Sequence, residues 1–254
     1  ITYQLQVVDN VSGCISNPST VDITVNPRPM IYSAPMSQMV CDGDPTTFTV
    51  NAAADTYEWL YSDDGGSNWN PVPDDAVYDD VATTTLVINT VDLTMDGNQY
   101  RLAVHGIAPC QPDTSPAATL TVLELPSISD QPVSDTVCEG LSTFFEVTAS
   151  GFAIAYQWYV SSDGGTNFTP VSNGGNYFGV NTDRLNIISP PTTLNGNMYK
   201  VEVTNSCTGV ESDTVTLVVN SNVSITDPPD PVIQCEGTPA RSEERRVGKE
   251  CATG

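Results

Sequence analysis

Apolar and polar residues alternate with a period of two in short runs along most of this chain. Residues 47–50, 144–148, 57–61 and 156–160 each send every second side chain to one side, which predicts strands with one buried and one wet face. Further runs follow the same rhythm: TTTLVIN (83–89) and DRLNIIS (183–189), DLTMDGNQYRLAV (92–104) and TTLNGNMYKVEV (192–203), then AATLTVLEL (117–125) and DTVTLVV (213–219). Trp59 and Trp158 fall mid-strand between polar neighbours, where a bulky aromatic plugs the space between two facing sheets. Asp64-Gly65 and Asp163-Gly164, each followed by a second glycine, supply the positive φ angles of a tight hairpin. No segment calls for a helix longer than one turn, so the predicted class is all-β.

These runs recur as a set. Cys41, Cys138 and Cys235 stand 97 residues apart, and a second series, Cys14, Cys110 and Cys207, keeps steps of 96 and 97. A period of this length belongs to whole modules. The repeat predicts complete modules at 27–125 and 126–221. Residues 1–26 match only the end of a module, because YQLQV (3–7) aligns with YRLAV (100–104), and residues 222–240 match only a start. Prolines 27, 29, 126, 228, 229 and 231 fall in the linkers and stiffen them by fixing φ. At 241 the composition breaks: RSEERRVGKECATG is densely charged and lacks alternation. It resembles a translated adapter sequence, so residues 241–254 are read as a non-module tail.

Charge narrows the partners. The chain holds 31 acidic and 8 basic residues, and with Glu243, Glu244, Glu250, Arg241, Arg245, Arg246 and Lys249 set aside, residues 1–240 carry 28 against 4. Such a surface repels phosphate backbones and anionic membranes, which disfavours nucleic acid and lipid surfaces as partners. No apolar run approaches the roughly 20 residues of a membrane-spanning helix. Two periodic cysteine series suit a disulfide framework and an oxidising compartment, against the alternative of buried free thiols.

The ordered pattern C-[DE]-G, TF-x-V, Y-x-W, DGG-x-N, G-x-x-Y-[RK]-x-x-V and C resembles the immunoglobulin-like modules that run in tandem through large secreted and surface-attached bacterial proteins. The resemblance covers residues 1–240 and implies Greek-key β-sandwiches strung as beads, extracellular and on the bacterial cell surface. It also implies a non-catalytic role as adhesin or stalk, with other modules of the same protein, and surface glycans or proteins, as partners. The alternative is a set of carbohydrate-binding accessory modules of a secreted enzyme. In this frame Tyr100 and Tyr199 look like tyrosine corners, buried rings whose hydroxyls return to the backbone. Antibody-type domains place the second cysteine two residues after that tyrosine; here those positions are Leu102 and Val201.

The pairing of Cys41, Cys110, Cys138 and Cys207 follows from the same frame. Pairing within modules would join Cys41 to Cys110 and Cys138 to Cys207. An immunoglobulin-like fold puts the members of each pair at opposite ends of strands of about seven residues, roughly 23 Å apart, whereas a disulfide tolerates about 7 Å between Cα atoms. The expected bond in that frame runs between neighbours, Cys41 to Cys207, stapling a flexible string into a rigid rod, and pairing within modules stays the alternative.

Candidate chemistry is sparse. His105 is the one histidine, so no histidine-based triad recurs in both modules, and it is expected in an exposed hairpin. Carboxylate pairs at Asp63-Asp64, Asp74-Asp75 and Asp79-Asp80 sit in turn sequences, which suits turn formation better than a glycosidase pair. No cofactor is expected. Calcium shared by carboxylates near a joint is the one ligand worth testing, although a D-x-[DN]-x-[DN]-G loop is lacking. Tyr61, Trp69, Tyr78, Phe168, Tyr177 and Phe178 fall in the middle hairpins, either as sugar-stacking aromatics or as packing.

Overall fold

A computed structural model describes residues 1–223. The expected partial module at 222–240 (all but its first two residues), the tail at 241–254, and Cys235 lie outside the described residues. The chain divides into two compact units, one ending at Leu123 and the other beginning at Glu124.

The first unit opens with a hairpin, β1 (Thr2–Leu5) against β2 (Ser19–Asp22). Its sandwich follows as β3 (Met30–Ser33), β4 (Gln38–Cys41), β5 (Thr46–Thr49), β6 (Asn51–Ala53), β7 (Thr56–Ser62), β8 (Asn70–Pro71), β9 (Tyr78–Asp79), β10 (Thr85–Ile88), β11 (Gln99–His105), β12 (Asp113–Thr114) and β13 (Ala118–Leu123). One sheet orders as β4-β13-β11-β7-β8 with β12 also on β11, and the facing strands are β5-β10-β9 and β3-β6. All pairs are antiparallel except β4 with β13, which run parallel.

The second unit repeats this plan: β14 (Ser127–Asp130), β15 (Asp135–Cys138), β16 (Thr143–Glu146), β17 (Thr148–Ser150), β18 (Ala155–Ser161), β19 (Thr169–Pro170), β20 (Tyr177–Phe178), β21 (Arg184–Ile187), β22 (Met198–Thr204), β23 (Gly209–Glu211) and β24 (Val215–Asn220). Its sheets order as β15-β24-β22-β18-β19 with β23 on β22, then β16-β21-β20 and β14-β17. The helical content of the described residues is two 3-10 turns, Leu93–Met95 and Thr192–Leu194. The chain is all-β.

Each sandwich closes around a tryptophan. Trp59 is 1% exposed and Trp158 is fully buried. Each indole N–H donates across the core to a backbone carbonyl, Thr83 or Thr182, at 3.0 Å, so burying the ring leaves no unpaired donor. Phe48, Leu86, Ile88 and Leu102 pack round the first indole, and Phe145, Leu185, Ile187 and Val201 round the second.

Strand boundaries differ from the sequence pattern at one place in each unit. The alternating runs at 47–50 and 144–148 are not single strands. β5 and β16 pair with β10 and β21, and after Val50 and Val147 the chain continues as β6 and β17, which pair with β3 and β14. Alternation survives such a switch because the same face stays buried, so periodicity alone does not reveal it. Cys41 and Cys138 end β4 and β15.

Candidate functional site

Five of the six candidate sugar-stacking aromatics are engaged inside their own module. Tyr61 packs against the first core. Tyr78 is buried and its hydroxyl lies 3.2 Å from that of Tyr100; Tyr177 and Tyr199 make the same pair at 3.0 Å. Trp69 is capped by the guanidinium of Arg101, 3.8 Å from the ring centroid, and Phe168 by the ammonium of Lys200 at 4.8 Å. Each cation covers one face of its ring. Phe178, half exposed at 50%, is left open.

The tyrosine pairs correct one expectation. The hydroxyls of Tyr100 and Tyr199 meet a second tyrosine hydroxyl rather than returning to the backbone upstream. Burial pushes both well above the ordinary tyrosine range, and the hydrogen bonds to Tyr78 and Tyr177 add to the shift. Both stay protonated and serve as structural links between the sheets.

The Asp-Gly-Gly segments form loops of seven residues between β7 and β8 and between β18 and β19, longer than a tight hairpin. Asp64 Oδ1 accepts from the Ser62 hydroxyl and from the backbone N–H groups of Ser67 and Asn68, and Oδ2 accepts from the Asn68 side chain at 2.6 Å. Asp163 repeats the arrangement with Ser161, Thr166 and Asn167. These bonds favour the charged form and hold each carboxyl at about 2, with the backbone N–H of Asn68 or Asn167 the largest cause. Four hydrogen bonds tie each carboxylate to its own loop.

The other acidic pairs do similar work. Asp75 Oδ1 accepts from the N–H groups of Val77 and Tyr78, and Asp79 Oδ2 accepts from Asn89. Among the described residues no group of three or more potential ligands comes close enough to hold a metal ion. His105 is the last residue of β11, where the chain leaves for the loop of the β11–β12 hairpin; its side chain is partly exposed and its Nε2 lies 3.7 Å from Glu58.

Three comparisons bear on this two-sheet plan. Residues 32–124 match a family described as a domain of unknown function (DUF8696). No curated protein matches the chain. Among solved structures, an I-band fragment of titin aligns with a TM-score of 0.59 at 18% identity, covering 78% of this chain and 67% of that one. Extracellular domains 3–5 of Drosophila OTK align at 0.51 and 18%, covering 86% and 70%. The fold is tandem immunoglobulin-like.

In each immunoglobulin-like module the two cysteine series mark opposite ends. Cys138 is aligned with Asn220, whereas Cys207 lies beyond Thr204, at the far end of β22, whose other end pairs with β24. Cys41 is aligned with Leu123, and Cys110 lies past His105, its thiol 3.6 Å from the Asn26 carbonyl. Cys41, Cys138 and Cys207 are disulfide-bonded, while Cys14 and Cys110 are free thiols. With Cys110 free, a bond from Cys41 to Cys110 is not formed.

A cleft of about 230 Å³ sits at the N-terminal end of the first module, lined by Pro27, Arg28, Ala54, Asp55 and Ile107 among others. In the second module Phe152 occupies the corresponding bend, its N–H donating to the Glu124 carbonyl at 3.1 Å. The residues lining the cleft carry no nucleophile–base pair. Sequence reasoning missed both the cleft and the two cation-capped rings, because each depends on which loop lies beside which strand.

Proposed function

We propose that the chain is a non-catalytic, extracellular repeat segment of an adhesin or stalk on a bacterial surface, holding binding modules away from the cell. The observation that carries this reading is the engagement, within each module, of the aromatic and acidic side chains that would otherwise form a binding face: rings capped by Arg101 and Lys200, hydroxyls paired, carboxylates hydrogen-bonded to their own loops. Three disulfide-bonded cysteines support an oxidising compartment. The excess of acidic residues supports partners other than nucleic acid or anionic lipid. Other modules of the same protein are the expected neighbours.

The half-exposed ring of Phe178 is what a carbohydrate-binding accessory module would use. Binding of the full chain to a glycan array separates the two readings. The spacer reading expects no signal above background, and a glycan signal abolished by Phe178→Ala would favour the accessory module. A melting temperature that calcium and chelator leave unchanged is expected as well, since no described carboxylate cluster is free to take the ion.

A further inference from the structure

We infer that a cleft beside β7 in the first module takes an arginine side chain of a partner polypeptide, at a place that the second module closes with its own side chains. The cleft measures about 360 Å³ and is lined by Tyr57, Glu58, Pro71, Val72, Ala82 and His105 among others. Hydrogen bonds shared by the two tryptophans fix the corresponding positions. The Trp59 N–H donates to the Val81 carbonyl and its carbonyl accepts from the Val72 N–H, while Trp158 makes the same bonds with Val180 and Val171. Glu58 therefore stands where the second module has Gln157, and Ala82 where it has Asn181.

In the second module those two carboxamides form a strap. Gln157 Nε2 donates to the carbonyls of Trp158 at 2.8 Å and Val171 at 3.0 Å, and Asn181 Nδ2 donates to the Tyr156 carbonyl and to Gln157 Oε1, both at 3.1 Å. The first module has the same carbonyls without the donors, because a methyl group and a carboxylate have no N–H to give. Among the described residues nothing donates to the Val72 carbonyl, and that of Trp59 accepts only from Val72. Tyr57, two residues before Trp59, turns its carbonyl to the same side of β7, where no described group donates to it. The Glu58 carboxylate is half-exposed, and the nearest imidazole nitrogen, Nε2 of His105, stands 3.7 Å away, longer than a hydrogen bond. The cleft thus presents acceptors alone along β7.

A guanidinium matches that set. It is planar like the carboxamides it replaces, carries five N–H donors and a fixed charge, and adds a charge-assisted pair with Glu58. Its alkyl stem can lie along Pro71 and Val72. With 28 acidic against 4 basic residues over positions 1–240, the field of the chain draws cations in. The described cations of the chain itself are placed elsewhere: Arg101, Arg184 and Lys200 sit over Trp69, Phe144 and Phe168, and Arg28 lines the other cleft. The arginine therefore comes from another polypeptide.

This site goes beyond the spacer reading and fails separately from it, since its probe is not a glycan. N-acetyl-L-arginine amide, titrated into the full chain and followed by NMR, should shift the backbone amides of Tyr57, Glu58 and Ala82 and the His105 imidazole to saturation. The uncharged citrulline analogue should bind about tenfold more weakly, as should the arginine probe to Glu58→Gln, because each loses a charge-assisted bond. Glu58→Gln combined with Ala82→Asn copies the strap of the second module and should abolish the shifts. Shifts that never saturate, equal binding of the citrulline analogue, or binding that survives the double substitution would overturn the site. Free L-arginine binding about tenfold tighter than the blocked probe would overturn the side-chain assignment in favour of a small-molecule ligand.

Discussion

The two modules share their interior almost position for position and part company at one end. Trp59 and Trp158, Tyr100 and Tyr199, and the Asp64 and Asp163 loops make the same bonds to the same kinds of partner. The bend after β17 is two residues longer than the bend after β6 and contains Gly151 and Phe152, whereas the loop from His105 to Cys110 is two residues longer than that from Thr204 to Cys207. What differs is the end that receives the incoming chain. The lesson is that the sandwich tolerates variation where chain enters it, and not where the sheets face each other.

That contrast can be broken deliberately. Replacing either core tryptophan should remove the plug between the sheets, and Trp59→Ala and Trp158→Ala should each cost about 3–5 kcal/mol. In denaturant unfolding of the full chain each substitution should shift the transition of its own module. A much smaller loss in one module would mean that its core is built differently.

At the variable end the second module should be the sensitive one. Gly151 has φ +139°, and a Cβ there would lie 2.8 Å from Ile154 and 2.9 Å from the Pro126 backbone. Gly151→Ala should therefore destabilise the second module by about 1–3 kcal/mol, read from the same denaturation curves. The shorter bend of the first module has no counterpart to this glycine.

The tyrosine pairs sharpen the comparison further. Tyr78→Phe strands the hydroxyl of Tyr100 and should cost about 1–2 kcal/mol. Tyr177→Phe should cost less, because Tyr177 is only partly buried whereas Tyr78 is 8% exposed. Adding Tyr100→Phe to Tyr78→Phe should recover part of the loss, and a double-mutant cycle measures the coupling.

The smallest effect is expected from acid, equally in both modules. Asp64 and Asp163 titrate at about 2 when folded against an ordinary 3.8. A lowered folded value means that their contribution is present above pH 3.8 and fades as pH falls toward 2. Asp64→Asn and Asp163→Asn should each flatten the stability–pH slope in that window, measured by thermal melts across pH 2–5.

How much of this was readable beforehand follows from where the information lies. The 97-residue spacing and the period-2 runs are local or self-referential signals, and they carry the all-β class. The switch of partner at Val50 and Val147 left no mark, because the buried face does not change there. The capping of Trp69 by Arg101 depends on β11 lying beside β7, where Arg101 is aligned with Leu60. Sequence supplies both residues and nothing about that register. The hydroxyl partners of Tyr100 and Tyr199 were missed for the same reason: Tyr78 and Tyr177 come from the facing sheet, 22 residues earlier in each case.

The hairpin β1–β2 shows the same dependence from the other side. Tyr3 and Leu5 align with Tyr100 and Leu102, which are fully buried, yet they are 53% and 67% exposed. An identical pattern gives a core only when a second sheet faces it.

The central claim, that each module is a closed sandwich around its own indole, is tested most directly by hydrogen exchange at the three tryptophan side chains. Trp59 and Trp158 donate into the core, while Trp69 donates to the Gly66 carbonyl within its surface loop at 3.0 Å. The indole N–H groups of Trp59 and Trp158 should exchange only as slowly as their modules unfold, and that of Trp69 through faster local opening. Exchange at Trp59 or Trp158 as fast as at Trp69 would contradict the account.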